Sequence, residues 1–326
     1  MKRQGRLIDK IAELENIRYA FYLATKGKHK KRCVQEWLLR DNEADFERIR
    51  EAFLSYSVVV GKYHSFKVYE PKERWIHASE FEARIVQHAM MRVCCPIFER
   101  FQIADSYACR VGKGQYKALE KAMKNHRKTQ WFVKMDVRKY FDSIDHAILK
   151  TLLRRIIKDP FVLNVFDRII DSFHSPLFED TNKGLPIGNL TSQYFANYYL
   201  GFVDHYIKET LHIRYYVRYM DDMVIWGNDK FLLLQNHEKI RLFLENRLQL
   251  TLKVICHNKT ADGLPFLGYR IMQDRLRLTP NSKKRYKHKQ QFYRYLYEHG
   301  YWTDSEYYGH IEPLQAFVKK TTKYVQ

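Results

Sequence analysis

The stretch Tyr215-Tyr216-Val217-Arg218-Tyr219-Met220-Asp221-Asp222-Met223-Val224-Ile225-Trp226 decides the fold. Residues 213–217 and 223–226 are rich in β-branched and aromatic side chains, which predicts two strands. Between them, Tyr219-Met220-Asp221-Asp222 reads as a hairpin with two adjacent carboxylates at its tip. Asp is a good turn residue, so a surface turn is the plain reading. Two like charges in a tight turn are nevertheless costly unless a cation neutralises them, which points to a metal centre.

A second acid favours the metal. Trp131-Phe132-Val133-Lys134-Met135-Asp136 is a further apolar strand that ends on a carboxylate. If it lies beside the hairpin, Asp136 and Asp221 converge on one pair of divalent ions. Mg²⁺ prefers oxygen ligands, keeps some waters and is usually shared with substrate phosphates. Two such ions roughly 3.5–4 Å apart hold the attacking and leaving oxygens of an in-line phosphoryl transfer.

The 326 residues carry 57 Lys+Arg against 37 Asp+Glu, a net charge of +20, which points to a polyanion and first to nucleic acid. A hydrophobic content of 45% with 29% charged residues is globular rather than disordered. No apolar run approaches a membrane span, and the polar N-terminus argues against a signal peptide. Cys33, Cys94, Cys95, Cys109 and Cys256 form no C-x-x-C pair, which predicts buried free thiols in a reducing cytosol and argues against zinc. The 24 Tyr, interleaved with basic residues, suit stacking on bases, or else fill a large core.

Along the chain, Leu7, Ile11, Leu14 and Phe21 predict one helix ending near Gly27, followed by the basic run 26–32 and a second helix over 36–56. Residues 66–69 and 74–77 form a hairpin from which Lys72 and Arg74 project, and a helix over 81–98 carries Arg84, Gln87 and His88. A loop with Arg110 and Gly112-Lys113-Gly114 precedes a helix at 115–127; it lacks P-loop spacing. Helices are predicted at 144–157 and 161–173. Gly184-Leu185-Pro186-Ile187-Gly188 lets the backbone approach a ligand, and Asn189 or Thr191 caps a helix to about 210. Further on come a helix at 231–248, strands at 252–256 and 266–271, a partner strand at 275–278, and a basic helical segment at 281–322. Helices and strands alternate without a β-α-β rhythm, which favours an α+β fold with an antiparallel sheet flanked by helices.

Taken together, these motifs resemble reverse transcriptases of the right-hand polymerase architecture. The series is Asp136…Phe141, Leu185-Pro186-x-Gly188, Tyr219-Met220-Asp221-Asp222, Lys259 and Phe266-Leu267-Gly268-Tyr269. The resemblance implies fingers with an N-terminal helical extension over 1–130, a catalytic palm over 131–275 and a basic helical thumb over 276–326, with no endonuclease, RNase H or zinc segment appended. Within the family, Ile187-Gly188-Asn189-Leu190-Thr191-Ser192-Gln193 resembles the enzymes of bacterial or phage diversity-generating retroelements. Most reverse transcriptases have Gln-Gly in place of Ile187-Gly188. Tyr107-Ala108-Cys109-Arg110 and Arg84-Ile85-Val86-Gln87-His88 look like the same subclass.

The resemblance implies error-prone copying of a structured RNA template, chiefly opposite adenines, into cDNA that diversifies a target gene. It also implies a small basic oligomeric accessory protein and the cytoplasm of a bacterial or phage-infected cell. By the same resemblance Asp136, Val137, Asp221 and Asp222 form the metal set for two Mg²⁺, with Mn²⁺ as substitute. Lys259 is a proton donor to pyrophosphate. Lys72, Arg74 and Arg84 grip the dNTP, Phe141 is the steric gate against a 2′-hydroxyl, and Ile187 lies at the nascent pair. Arg110, Lys113, Gly188, Gln193 and Tyr219 meet template and primer, with Phe266, Leu267, Gly268 and Tyr269 as primer grip. The competing readings are a retron-like or phage-defence reverse transcriptase, a two-metal nuclease or phosphodiesterase, and a non-enzymatic RNA-binding scaffold.

Overall fold

The computed structural model describes residues 3–69, 73–178, 182–253 and 255–322. The elements run α1 (Ile8–Ile11), α2 (Leu14–Thr25), α3 (Arg32–Leu38), α4 (Glu43–Leu54), β1 (Tyr63–Val68), β2 (Arg74–Ser79), α5 (Phe81–Phe101), α6 (Gln115–His126) and β3 (Trp131–Asp136). They continue as α7 (Tyr140–Ser143), α8 (His146–Leu153), α9 (Pro160–Asp171), α10 (Leu190–His205), β4 (Tyr215–Tyr219), β5 (Asp222–Gly227) and α11 (Lys230–Leu248). The last are β6 (Cys256–Lys259), β7 (Leu264–Phe266), β8 (Tyr269–Ile271), β9 (Leu276–Leu278), α12 (Pro280–Glu298) and α13 (Asp304–Thr322).

The chain forms two compact units. The first comprises Met1–Ala104, Val137–Thr210 and Ile240–Lys253. Here α2 packs on α5, and α5 on α10. Ile17, Ala20 and Ala24 are buried on α2, and Ile85, Ala89 and Met90 on α5. Rings join the helices: Phe98 meets Tyr198 edge-on at 5.6 Å, and Phe166 meets Phe195 at 5.0 Å. The predicted N-terminal helix is two helices, because Leu7 and Ile8 donate backbone N–H bonds to Asp159 at 2.6 and 3.3 Å and the backbone extends at Glu13. The helix expected over 36–56 is likewise broken, where Asn42 Nδ2 donates to the Trp37 carbonyl at 2.9 Å.

The second unit comprises Asp105–Asp136, Leu211–Lys239 and Val254–Gln326. Its larger sheet has the order β4-β5-β3-β6, and every pairing is antiparallel, as predicted. A second sheet, β7-β8-β9, is also antiparallel. Ala118, Leu119 and Ala122 of α6 share one core with Phe132, Val217, Trp226, Phe266 and Tyr269.

Two strands differ from expectation. The segment expected at 252–256 pairs with β3 only from Cys256, giving an exposed edge strand whose register is set by backbone pairing, not by burial. Leu252 makes only a lone bridge, to Val137. The strand expected at 266–271 is a hairpin turning at Leu267 and Gly268, both at positive φ (49° and 86°), as a primed two-residue turn requires. The cysteines also differ: Cys94 is buried, but Cys33, Cys109 and Cys256 are exposed. No described helix is long and apolar enough to cross a membrane.

Candidate active site

In the second unit the acids meet by register. Asp136, the last residue of β3, pairs directly with Asp222, the first of β5. Tyr219 pairs with Asp222 across a turn made of Met220 and Asp221. Directly opposed residues bring their Cβ atoms within about 4.5–5.5 Å. Asp222 therefore lies in the ladder beside Asp136, and Asp221 is the acid in the turn. All three are half-buried. The turn carries strain: Met220 sits at φ +54°, a region costly for a residue with a Cβ.

Two cations missed at the sequence level support this arrangement. Arg218 of β4 is fully buried, and its Nη1 donates to the Met220 carbonyl at 3.1 Å, inside the strained turn. Its own backbone is fixed by Arg218 N to the Asp105 carbonyl at 2.9 Å and Tyr107 N to the Arg218 carbonyl at 3.0 Å. The available signal was a charge inside an apolar strand, Val217-Arg218-Tyr219. Lys134 of β3 places Nζ 3.1 Å from Asp222 Oδ1.

The donor set is three half-buried carboxylates, the oxygen donors that a hard divalent cation prefers. Among the described residues no group of three or more His, Cys, Asp or Glu is arranged to hold a metal alone. Val137 follows directly and is fully buried.

The other second-unit candidates divide. Arg110 donates to the Ser106 carbonyl at 2.9 Å, and the Lys113 ammonium lies 4.9 Å from the Tyr107 ring centre. Tyr219 is half-buried against the core. Phe266 and Tyr269 are core residues, and Tyr269 OH donates to the Phe317 carbonyl at 2.7 Å. Leu267 accepts from Gln115 Nε2 at 2.9 Å, and a Cβ on Gly268 would meet Ser282 Oγ at 3.1 Å. This hairpin thus anchors the C-terminal helices with its side chains. Lys259 is not brought to the acids: it pairs with Trp131, the end of β3 away from Asp136. At ~3.3 Å per residue that is about 17 Å, beyond a lysine's reach.

In the first unit, the segment at Ile187 is held by β2. His77 N donates to the Ile187 carbonyl at 2.7 Å. Gly188 has φ +124°, and a Cβ there would lie 3.0 Å from Ile76 Cγ2 and 3.1 Å from the His77 carbonyl. This glycine makes a close backbone approach to β2. Asn189 does not cap α10 with its side chain, and the buried Thr191 hydroxyl has no hydrogen-bond partner among the described residues. Asn189 instead pairs with Ser79 Oγ and with Tyr63 OH, while Gln87 Oε1 accepts from Leu190 N at 3.2 Å. Gly188→Ala is expected to lower unfolding stability by about 2 kcal/mol or more. Denaturant titration checks it, and an unchanged midpoint would show that the loop stands off β2.

Phe141 is the second residue of α7 and is half-buried, with its carbonyl accepting from Leu185 N at 2.8 Å, so the two motif segments are laced together. Arg74 is exposed at the start of β2. Arg84 is partly buried, donates from Nη2 to the Ala24 carbonyl at 2.6 Å and sits over Phe81, and burial lowers its pKa. Burial, helped by Lys28 and Arg84, pushes His88 down to about 4, so it is neutral at physiological pH. Gln193 is exposed on α10. Lys72 lies outside the described residues.

A family model described as reverse transcriptase (RNA-dependent DNA polymerase) matches residues 69–271. Protein YkfC of Escherichia coli is 27% identical over 263 residues, 65% of this chain and 67% of that protein. The group II intron-encoded protein LtrA of Lactococcus lactis is 23% identical over 200 residues, 58% of this chain and 33% of that protein. A telomerase structure from Candida albicans, in complex with a fragment of telomeric RNA, covers 71% of this chain and 48% of its own at 12% identity and a TM-score of 0.49, too loose a likeness to bear on function.

Proposed function

Because this chain belongs to the reverse transcriptase (RNA-dependent DNA polymerase) family, we propose that it copies an RNA template into DNA by metal-assisted nucleotidyl transfer. The observation that carries this is the register that sets Asp136 opposite Asp222, with Asp221 adjoining in the turn. Asp136 and Asp221, with the Val137 carbonyl, would hold a divalent pair, and Asp222 would support them. Such a pair, when bound, supplies an activated primer 3′-hydroxyl and charge neutralisation on the triphosphate. Arg74, Arg84 and Lys72 would grip the triphosphate. Phe141 would act as the steric gate that excludes a 2′-hydroxyl, which makes the product DNA. Arg110, Lys113, Gln193 and Tyr219 track template and primer, and the Leu267-Gly268 turn approaches the primer by its backbone. Fingers, palm and thumb take residues 1–130, 131–275 and 276–326. The excess of 57 basic over 37 acidic residues gives salt-sensitive, largely sequence-independent binding to nucleic acid.

The finer reading is an enzyme of a diversity-generating retroelement, error-prone opposite template adenines, working with a structured RNA and a small basic accessory protein. Ile187 supports it. An aliphatic side chain cannot hydrogen-bond around the nascent pair, and sites that rely on apolar shape alone discriminate weakly. Ile187→Gln is expected to reduce misincorporation opposite adenine roughly tenfold, the worth of about one hydrogen bond. Sequencing cDNA made from a defined adenine-containing template reads this, and an unaltered error spectrum removes Ile187 as the cause. The group II intron-encoded relative favours a second reading, an intron-type enzyme, whose cDNA would carry no adenine bias.

A further inference from the structure

We propose that Lys134 is a positioning residue of the catalytic centre: it holds Asp222 out of the metal set. The assignment rests on the metal-centre reading above. Lys134 lies two residues before Asp136 on β3, so the two side chains leave the same face of the sheet. Lys134 pairs with Val224 and Asp136 with Asp222, which makes Asp222 the diagonal neighbour of Lys134, within reach of a long side chain.

The contact is made. Nζ lies 3.1 Å from Asp222 Oδ1, with the side chains only 22% and 27% exposed. Oδ1 itself is buried, and the ammonium is its ion-pair partner rather than an aligned hydrogen-bond donor. A carboxylate oxygen withdrawn from water requires a cation beside it. The sheet supplies that cation from its own ladder, and its sheltered position spares it much of the screening that weakens surface pairs.

Asp222 is thereby distinguished by a cation from its own sheet. Asp222 carries a built-in counter-ion, which competes with any divalent ion for the same oxygen. With Lys134 removed, Asp222 is freed to ligate. The centre then binds a divalent ion more tightly and in a geometry that no longer matches the one used in transfer.

The test uses the full chain as wild type, Lys134→Met, Lys134→Gln, Lys134→Arg, Asp222→Asn and the Lys134→Met/Asp222→Asn double variant. Mn²⁺ affinity without nucleotide is measured by titration calorimetry, alongside the rise in unfolding temperature that Mn²⁺ produces and incorporation at saturating Mn²⁺. Lys134→Met and Lys134→Gln are expected to bind Mn²⁺ about tenfold more tightly, with a larger thermal shift, yet to incorporate nucleotide at least about tenfold more slowly. Lys134→Arg keeps the wild-type affinity. In the Asp222→Asn background, Lys134→Met changes Mn²⁺ affinity less than about twofold, because Lys134 acts through Asp222. Unchanged or weaker Mn²⁺ binding in the neutral variants, or the same shift with and without Asp222, overturns the proposal. Mn²⁺ binding by none of the proteins, wild type included, overturns the metal-centre reading and this proposal with it.

Discussion

Asp221→Asn is expected to lower single-turnover nucleotide incorporation by roughly a thousandfold or more, the scale on which metal and electrostatic stabilisation act. Asn keeps the shape and the turn propensity of Asp but loses the charge that attracts a divalent ion. The fold should persist, because the Tyr219–Asp222 pairing that closes the hairpin is made by backbone. The unfolding midpoint should stay level or rise slightly, since one of two adjacent like charges is gone. Asp222→Asn should cost incorporation less, because its carboxylate already pairs with Lys134 at 3.1 Å. Incorporation and unfolding measured on the same preparations separate loss of chemistry from loss of fold. Asp221→Asn with near wild-type incorporation would remove the turn acid from the mechanism.

Arg218→Met is expected to be the most damaging substitution outside the acids. The Arg218 side chain is fully buried and its guanidinium donates to the carbonyl of Met220, whose φ is +54°. Hydrogen bonds from charged donors are worth more than neutral ones, and the abandoned carbonyl keeps its desolvation cost, so the loss should be about 2–4 kcal/mol. Without that donor, only the backbone pairing of Tyr219 with Asp222 is known to hold Met220 in the left-handed region. The turn shifts, Asp221 moves with it, and incorporation should fall further than stability alone explains. Arg218→Lys should rescue little, since an ammonium lacks the planar fork of donors. Guanidinium titration and primer extension read the two effects, and a stable, active Arg218→Met would show that the turn holds itself.

What was legible in the sequence was local. The strands around Tyr219 to Asp222 and the strand ending at Asp136 announce themselves by β-branched and aromatic runs that break at acids, and the structure pairs them antiparallel. What was not legible depends on partners distant in sequence. Arg218 is defined by a carbonyl across a turn, and Lys134 by a diagonal neighbour that exists only once register is known. The Gly188 backbone approaches His77, and the start of α10 is satisfied by Gln87 from another helix, so a local capping rule chose the wrong side chain. Lys259 was placed near the acids by resemblance alone, and β6 is an exposed edge strand whose pairing with β3 starts at Cys256 and puts Lys259 opposite Trp131. Phe266 and Tyr269 read as contact residues, yet their rings are needed in the core beneath the C-terminal helices.

The central claim is that Asp136 and the turn acid beside it drive template-directed DNA synthesis. The most direct measurement is extension of a labelled DNA primer on a mixed-sequence RNA template by the purified chain, with Mg²⁺ and all four dNTPs, beside Asp136→Asn. The account predicts DNA whose length and sequence follow the template, and none from Asp136→Asn. Cleavage of the template without synthesis, or extension that persists in Asp136→Asn, would contradict it.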